Sequence, residues 1–249
     1  MKAMILAAGL GSRLKPLTDR IPKALVEING KPMLQRVIET LRSQGFDYIV
    51  VNVHHFAGQI IEYLRHHDFG IKIEISDESE ELLDTGGGLV KAFPLLFNTD
   101  DSPVLVHNVD ILSNADLREL VKRDEDNPNL LVSDRSSSRK LLFNRYMDLV
   151  GWHDVRNGIF RPEDIQTPYN NGDLHNNGDL QEFAFSGIYT MTKSSMEEMR
   201  QLMGNGKFPV MEYFLNPRRH CLIKGDLKRE LKILDIGKPE TLSMAEKFL

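Results

Sequence analysis

Apolar residues fall along this chain in two alternating rhythms. Short, nearly unbroken runs at residues 3–8 and 48–53 have the pattern of strands buried on both faces. Between them Met33, Leu34, Val37, Ile38 and Leu41 recur every three or four positions, as on one face of a helix, with Pro32 at its start and Gly45 past its end. The alternation continues with a helix predicted over 57–67, a strand over 71–76, a helix over 88–96 and a strand over 104–107. Beyond Asn114 the pattern predicts a helix at 115–124, strands near 130–133 and 148–152, and an apolar strand at 182–190. Helices at 194–203 and 209–215 follow, with a last strand and helix within 231–249.

Strands that alternate with helices and are apolar throughout predict an α/β fold: a largely parallel sheet covered by helices on both faces, with ligands at the carboxyl ends of the strands. Residues 154–181 interrupt this rhythm. They are rich in Asn, Gly, Asp and Pro and contain Asn170-Asn171-Gly172-Asp173 and Asn176-Asn177-Gly178-Asp179. Such a stretch predicts a long insertion, either a lid or a surface excursion. A length of 249 residues makes a single domain over 1–249 the default.

Composition narrows the setting. No run approaches the ~18 apolar residues of a membrane span. The N-terminal apolar run is cut by Gly9, Gly11 and Arg13 too early for a secretory leader and reads as a strand. Cys221 stands alone, which rules out an internal disulfide, and no Cys-His spacing suits structural zinc; a reducing cytoplasm is the expectation. A formal charge of -5 and a pI near 5.9 argue against nucleic acid or an anionic membrane as partner. Within this acidic chain, however, Arg13, Lys15, Arg20 and Lys23 face only Asp19 across eleven residues, a local concentration of positive charge suited to a phosphate-bearing ligand.

That segment is part of a longer motif. Leu6-Ala7-Ala8-Gly9-Leu10-Gly11-Ser12-Arg13 leaves the first strand, Pro16-Leu17-Thr18 follows, and Pro22-Lys23-Ala24-Leu25 comes shortly after. A glycine-rich turn behind a strand lets backbone N–H groups approach phosphate oxygens, and the cations beyond it can neutralise them. The spacing is neither the Walker pattern nor Gly-x-Gly-x-x-Gly. Two further strands end in carboxylates: residues 104–108 lead to Val109-Asp110, and residues 231–234 lead to Asp235-Ile236-Gly237-Lys238-Pro239-Glu240. Alone, a strand-terminal Asp also serves as a turn or cap residue.

Taken together, these motifs resemble the sugar-nucleotide pyrophosphorylase family, nucleotidyltransferases with a Rossmann-like fold of the glycosyltransferase-A type. The resemblance implies a mostly parallel, mixed sheet flanked by helices. It implies transfer of a nucleoside monophosphate from a nucleoside triphosphate to a sugar 1-phosphate, with pyrophosphate released and Mg²⁺ as cofactor. The plan is similar to that of compact members acting on N-acetylmuramate, mannose, heptose or choline phosphates. Ala8, Gly9, Gly11 and Ser12 would then lie along the nucleotide, Arg13 would hold the leaving phosphates, and Lys23 would contact the phosphate under attack. Asp110 and Asp235 would bind the metal.

The stretch 80–89, with Gly86, Gly87 and Gly88, resembles the part that reads the base through backbone groups. Asn108, Glu182 and Gly187 correspond to sugar contacts. Val109 departs from the Gly or Ser often found there, and the second lysine that holds the sugar phosphate in larger members has no evident counterpart, although Arg139-Lys140, in an expected exposed turn, could meet that phosphate. His54, His55, His66 and His67 lack acidic partners at metal-ligand spacing and read as packing or surface residues, and Trp152 reads as core. Two alternatives stay open: a phosphocholine-type cytidylyltransferase, and a non-catalytic regulatory subunit that senses nucleotide sugars. The assembly expected is a monomer or small homo-oligomer.

Overall fold

A computed structural model describes residues 1–163 and 180–248. Its strands are β1 (Lys2–Leu6), β2 (Glu27–Ile28), β3 (Lys31–Pro32), β4 (Tyr48–Val53), β5 (Lys72–Asp77), β6 (Val104–Asn108), β7 (Ile111–Ser113), β8 (Asn129–Ser133), β9 (Arg139–Phe143), β10 (Leu149–Asp154), β11 (Ile159–Arg161), β12 (Gln181–Met191), β13 (Lys224–Leu227) and β14 (Ile233–Asp235). The helices are α1 (Met33–Ser43), α2 (Ala57–His66), α3 (Asp84–Leu96), α4 (Leu117–Arg123), α5 (Lys193–Met203), α6 (Val210–Phe214) and α7 (Pro239–Phe248).

The main sheet runs β11-β10-β9-β12-β6-β1-β4-β5, with β8 joining β12 to β13. Its β6-β1-β4-β5 portion is parallel, and β12 turns antiparallel against β6. The result is the mixed, mostly parallel sheet that the family resemblance implies, its parallel portion being the one expected from the alternation. Every residue of β1 is buried, and its side chains alternate between two cores. Ala3 and Ile5 join the apolar faces of α1, α2 and α4, whereas Met4 and Leu6 join those of α3, α5 and α6. Positions 3–6 feed both cores and leave no place for a polar side chain, which is why they read as an uninterrupted apolar run, while Lys2 at the strand's start pairs with Asp100.

A third, smaller cluster determines where the functional segments lie. Leu14, Val26, Ile28, Met33, Leu112, Leu234, Ile236 and Ala245 pack together. They tie the turn after β1 to the β7–β14 ladder and to α7, and burial of each large side chain contributes on the order of 1.5–3 kcal/mol. Leu14 directly follows Arg13, and Ile236 directly follows Asp235. Apolar anchors thus bring two segments more than 200 residues apart to one place.

Three expectations change. α3 starts at Asp84 and not at 88, so Gly86, Gly87 and Gly88 are helical. Arg139 and Lys140 open strand β9 in place of an exposed turn, because Leu141, Leu142 and Phe143 bury against β12 and β10. The segment expected as an insertion from 154 begins in order: β10 and β11 form a hairpin with Trp152 opposite Arg161. Residues 164–179, with both Asn-Asn-Gly-Asp runs, lie outside the described residues. Trp152 is half-buried at the edge of its core, with the Arg161 guanidinium 5.8 Å from its ring. No described helix is long and apolar enough to cross a membrane.

Candidate active site

A cavity of about 260 Å³ opens where β1, β4 and β6 end. Leu6, Ala7, Ala8 and Gly9 form one side, Leu82, Asp84 and Thr85 another, and Lys23, Asn52, Asn108, Val109 and Asp110 complete it. Five residues singled out in the sequence therefore meet here: Ala8, Gly9, Lys23, Asn108 and Asp110.

The chain reaches this geometry by a controlled exit from β1. Ladder pairing of β1 ends at Leu6, opposite Asn52 and Asn108. The Asn52 side chain then supplies one more rung, its Oδ1 accepting the Ala7 N–H at 2.7 Å. Gly9 stands exposed with open space around its Cα, and a Cβ there would meet nothing within 4 Å. Gly11 is different: its φ of 65° lies in the left-handed region, and a Cβ would stand 2.8 Å from Thr18 Cγ2. The Thr18 hydroxyl locks this turn by donating to the Gly11 carbonyl at 2.8 Å. Ser12, Arg13 and Leu14 then form a short 3₁₀ turn, with Ser12 and Arg13 exposed and Leu14 buried.

Charge is distributed unevenly along the basic segment. Lys15 pairs with Asp19 at 3.0 Å on the surface, and Arg20 is exposed. Lys23 turns inward and forms an ion pair with Asp110, both side chains largely buried. Asp110 and Asp235 are joined through the backbone: the Ile236 N–H donates to the Asp110 carbonyl at 2.8 Å, continuing the β7–β14 ladder in which Asp235 lies opposite Ile111. The Asp235 carboxylate is exposed and accepts the Gly237 N–H at 2.8 Å. Gly237 leaves room for the Arg13 guanidinium, since a Cβ there would collide with Arg13 Nη2 and stand 2.7 Å from Asp235 Oδ1. Arg13 and Asp235 are accordingly neighbours beside the cavity.

The expected sugar contacts divide. Gly187, with φ 78°, is where β12 passes Asn108; a Cβ would come within 2.6 Å of Asn108 Nδ2. Next to it His107 is buried, its pKa pushed down to about 4 by desolvation, and its Nδ1–H donates to the Asn108 carbonyl at 2.8 Å. Glu182 lies five residues earlier on β12, where its Oε1 is 2.9 Å from His153 Nδ1, and it does not line this cavity. Lys140 Nζ donates to the Arg135 carbonyl at 2.8 Å.

Gly86 and Gly87 also stand back from the cavity. Their N–H groups donate to the Phe208 carbonyl at 2.9 and 3.2 Å, and a Cβ on either would collide with the Phe208 ring or the Gly206 carbonyl. Their lack of a side chain is accounted for by close packing under α3. The cavity wall in this region is made instead by Leu82, Asp84 and Thr85, with Asp84 in the left-handed region at φ 61°, a conformation that costs a non-glycine residue about 1–3 kcal/mol.

Two buried polar residues were absent from the sequence reading. Asn52 lines the cavity, and Glu78, fully buried, sits behind it. Glu78 Oε1 accepts from Asn52 Nδ2 at 2.8 Å and its Oε2 from the Leu83 N–H at 3.2 Å. Burial pushes the Glu78 carboxyl above the ordinary carboxylate range even so. The available signal was a polar residue near the end of each of two neighbouring strands, at the sheet edge where ligands are expected. Of the histidines, His54 Nδ1 bonds the Glu78 carbonyl at 2.6 Å, and His66 and His67 bond carbonyls of their own helical turn.

A family model described as nucleotidyl transferase matches residues 2–136. N-acetylmuramate alpha-1-phosphate uridylyltransferase of Caulobacter vibrioides is 43% identical over 111 residues, which cover 43% of this chain and 45% of that protein. Mannose-1-phosphate guanyltransferase of Aspergillus oryzae is 37% identical over 138 residues, 53% of this chain and 37% of that protein. The matches thus span less than half the length of each relative. Among solved structures, HddC from Yersinia pseudotuberculosis superposes with a TM-score of 0.74 at 25% identity, covering 100% of this chain and 99% of its own. The inositol-1-phosphate CTP transferase of T. maritima gives 0.75 at 18% identity over 99% and 93%, which shows the shared fold. With the family model covering more than half of its residues, the cavity-bearing N-terminal portion among them, this chain belongs to the nucleotidyl transferase family.

Proposed function

We propose that this protein transfers a nucleoside monophosphate from a nucleoside triphosphate to a sugar 1-phosphate, giving a nucleoside-diphosphate sugar and pyrophosphate. The observation that carries this reading is the convergence of Lys23 and Asp110 on one cavity from positions 87 residues apart, beside the open Gly9 turn. A phosphate oxygen of the sugar 1-phosphate attacks the α-phosphorus; that P–O bond forms as the bond from the α-phosphorus to the bridging oxygen breaks, and pyrophosphate departs with the electron pair. No side-chain nucleophile is needed, so the protein contributes position and charge. Lys23 neutralises the α-phosphate, and Arg13, exposed on the turn, takes the leaving pyrophosphate. In the free protein Lys23 is held ready by its pairing with Asp110.

The residues present fit a Mg²⁺ ion. Asp110 and Asp235 supply hard oxygen donors from adjacent strand ends, and the described residues contain no cluster of three or more ligating side chains. Such a two-carboxylate site suits a cation that completes its shell from phosphate and water, and the ion would supply charge stabilisation to the triphosphate. The relatives act on sugar phosphates, by name, and no aromatic ring lines the described cavity to enclose a quaternary ammonium, which favours a sugar phosphate over phosphocholine. A cytoplasmic setting and a monomer or small homo-oligomer belong to the same proposal.

The test is pyrophosphate release with Mg²⁺ across four nucleoside triphosphates and a panel of sugar 1-phosphates, with phosphocholine included. Release in a sugar-phosphate cell is expected and identifies both substrates. Release with phosphocholine alone overturns the sugar assignment, and nucleotide binding without release in any cell points to the regulatory alternative.

A further inference from the structure

We propose that Glu78 is a positioning residue that straps the two walls of the nucleotide cavity together through Asn52 and the Leu83 N–H. This rests on the reading of that cavity as the triphosphate site. One oxygen of the Glu78 carboxylate reaches the β1 side: it accepts from Asn52 Nδ2 at 2.8 Å, and Asn52 Oδ1 in turn accepts from Ala7 at 2.7 Å, at the root of the Ala8-Gly9 turn. The other reaches the opposite wall, accepting from Leu83 at 3.2 Å, between the cavity residues Leu82 and Asp84. The only covalent route between these walls runs through more than 70 residues, so the strap is the short connection.

Burial gives the strap its strength. Glu78 is 0% exposed and Asn52 2% exposed, so a broken hydrogen bond here cannot be replaced by bulk water, and a carboxylate placed in such a site without two donors would be costly. The backbone reinforces it: the Glu78 N–H donates to the Val53 carbonyl at 2.8 Å, and its own carbonyl receives His54 Nδ1 at 2.6 Å. Gly88 belongs to the same device. A Cβ there would stand 2.7 Å from Glu78 Oε1 and 2.9 Å from Asn52 Nδ2, so only glycine at this point of α3 lets the carboxylate and amide meet. Neither Glu78 nor Gly88 lines the cavity, which distinguishes positioning from contact.

Two variants test this. Gly88→Ala pushes the strap from behind, and Glu78→Gln keeps the volume and one acceptor but sets an NH₂ group against a donor. Amide hydrogen exchange on the free protein is expected to rise about tenfold or more in both walls, residues 7–9 and 82–85, in either variant. Titration with UTP, CTP, GTP and dTTP in Mg²⁺ is expected to show affinity for the preferred nucleotide about tenfold weaker, with kcat at saturation within about twofold. The double variant is expected to be no weaker than the single ones, because both break one connection. Should Gly88→Ala unfold the chain, Glu78→Gln carries the test. Exchange that rises in one wall alone, or unchanged nucleotide affinity with both walls loosened, overturns the proposal. If the unmodified protein binds no triphosphate, the functional reading fails, while the exchange measurement still decides whether the strap exists.

Discussion

Two glycine-rich segments flank the cavity, and they use the same residue for opposite reasons. At Gly9 an added Cβ would meet nothing, so the missing side chain leaves room for something outside the protein. At Gly86, Gly87 and Gly88 an added Cβ would meet Phe208, Gly206 and the Glu78–Asn52 pair, so the room is already taken by the protein itself. Alanine is ordinarily better than glycine inside a helix by about 1 kcal/mol, and α3 forgoes that gain three times in a row because its neighbours leave no space. A glycine run in a sequence therefore marks close approach without saying whether the approaching group is a ligand or a side chain.

This difference can be broken or sharpened by substitution. The largest effect is expected just beyond the first segment. Lys23→Ala leaves Asp110 without its cation and, in the proposed reaction, the α-phosphate without a neutralising charge, so turnover is expected to fall by about a thousandfold or more. Circular dichroism should show a folded chain. Near-normal pyrophosphate release from a folded Lys23→Ala protein would sink the catalytic assignment.

Stability should respond at the second segment. In Gly87→Ala the methyl group is driven at the Gly206 carbonyl, a backbone atom that cannot swing aside, and comes within 3.0 Å of Leu83 Cβ. Overpacking of this kind costs about 1–3 kcal/mol and outweighs the helix-propensity gain, so the thermal midpoint is expected to drop by several degrees, about 2–4 °C for each kcal/mol lost. A midpoint at or above that of the parent would mean that α3 can shift freely and that its glycines have another purpose.

Gly9→Ala reverses the pattern. With no protein atom near the new methyl, stability should change by less than about 0.5 kcal/mol. Nucleotide affinity is expected to weaken by about tenfold, or roughly 1.4 kcal/mol, read by calorimetric titration. An unchanged dissociation constant would remove Gly9 from the nucleotide contacts.

The two segments also differ in how far they could be read in advance. The turn after β1 was legible because its features are local: an apolar run, then Gly9, Gly11 and Arg13 at short spacing, then Lys23. Asp110 and Asp235 were legible for the same reason, each closing an apolar strand. The purpose of Gly86 and Gly87 was not, since it depends on Phe208 and Gly206, more than a hundred residues away, and that of Gly88 depends on Glu78 and Asn52, on other strand ends. Strand β9 was hidden by the polar residues 136–138 in front of it and by Arg139 and Lys140 that open it, and Glu182 belongs by sequence to an apolar strand whose register points it at His153. Asn52 and Glu78 escaped because a single polar residue at a strand end carries no spacing pattern; its meaning comes from which neighbouring strand ends beside it.

The smallest expected effect concerns the pH dependence of the second wall. Burial raises the folded-state pKa of Glu78 above its ordinary value of 4.5, whereas in the unfolded chain the group returns to that value. Between those two values the folded state holds a proton that the unfolded state has lost, so this group's contribution to stability is fully present below 4.5 and is lost as pH rises through the folded pKa. Other carboxylates, such as Asp47 beside the N-terminal amine, are shifted down and give slopes of the opposite sign at lower pH. The informative quantity is therefore the difference between the parent and Glu78→Gln, measured by denaturant unfolding from pH 4 to 8. The parent is expected to lose stability relative to the variant as pH rises above 4.5, until the carboxyl is ionised in both states. A flat difference would mean that Glu78 ionises as it does in water, which its enclosure by Asn52, Leu83 and Gly88 does not allow, and the wall would then have to open to solvent in the free protein.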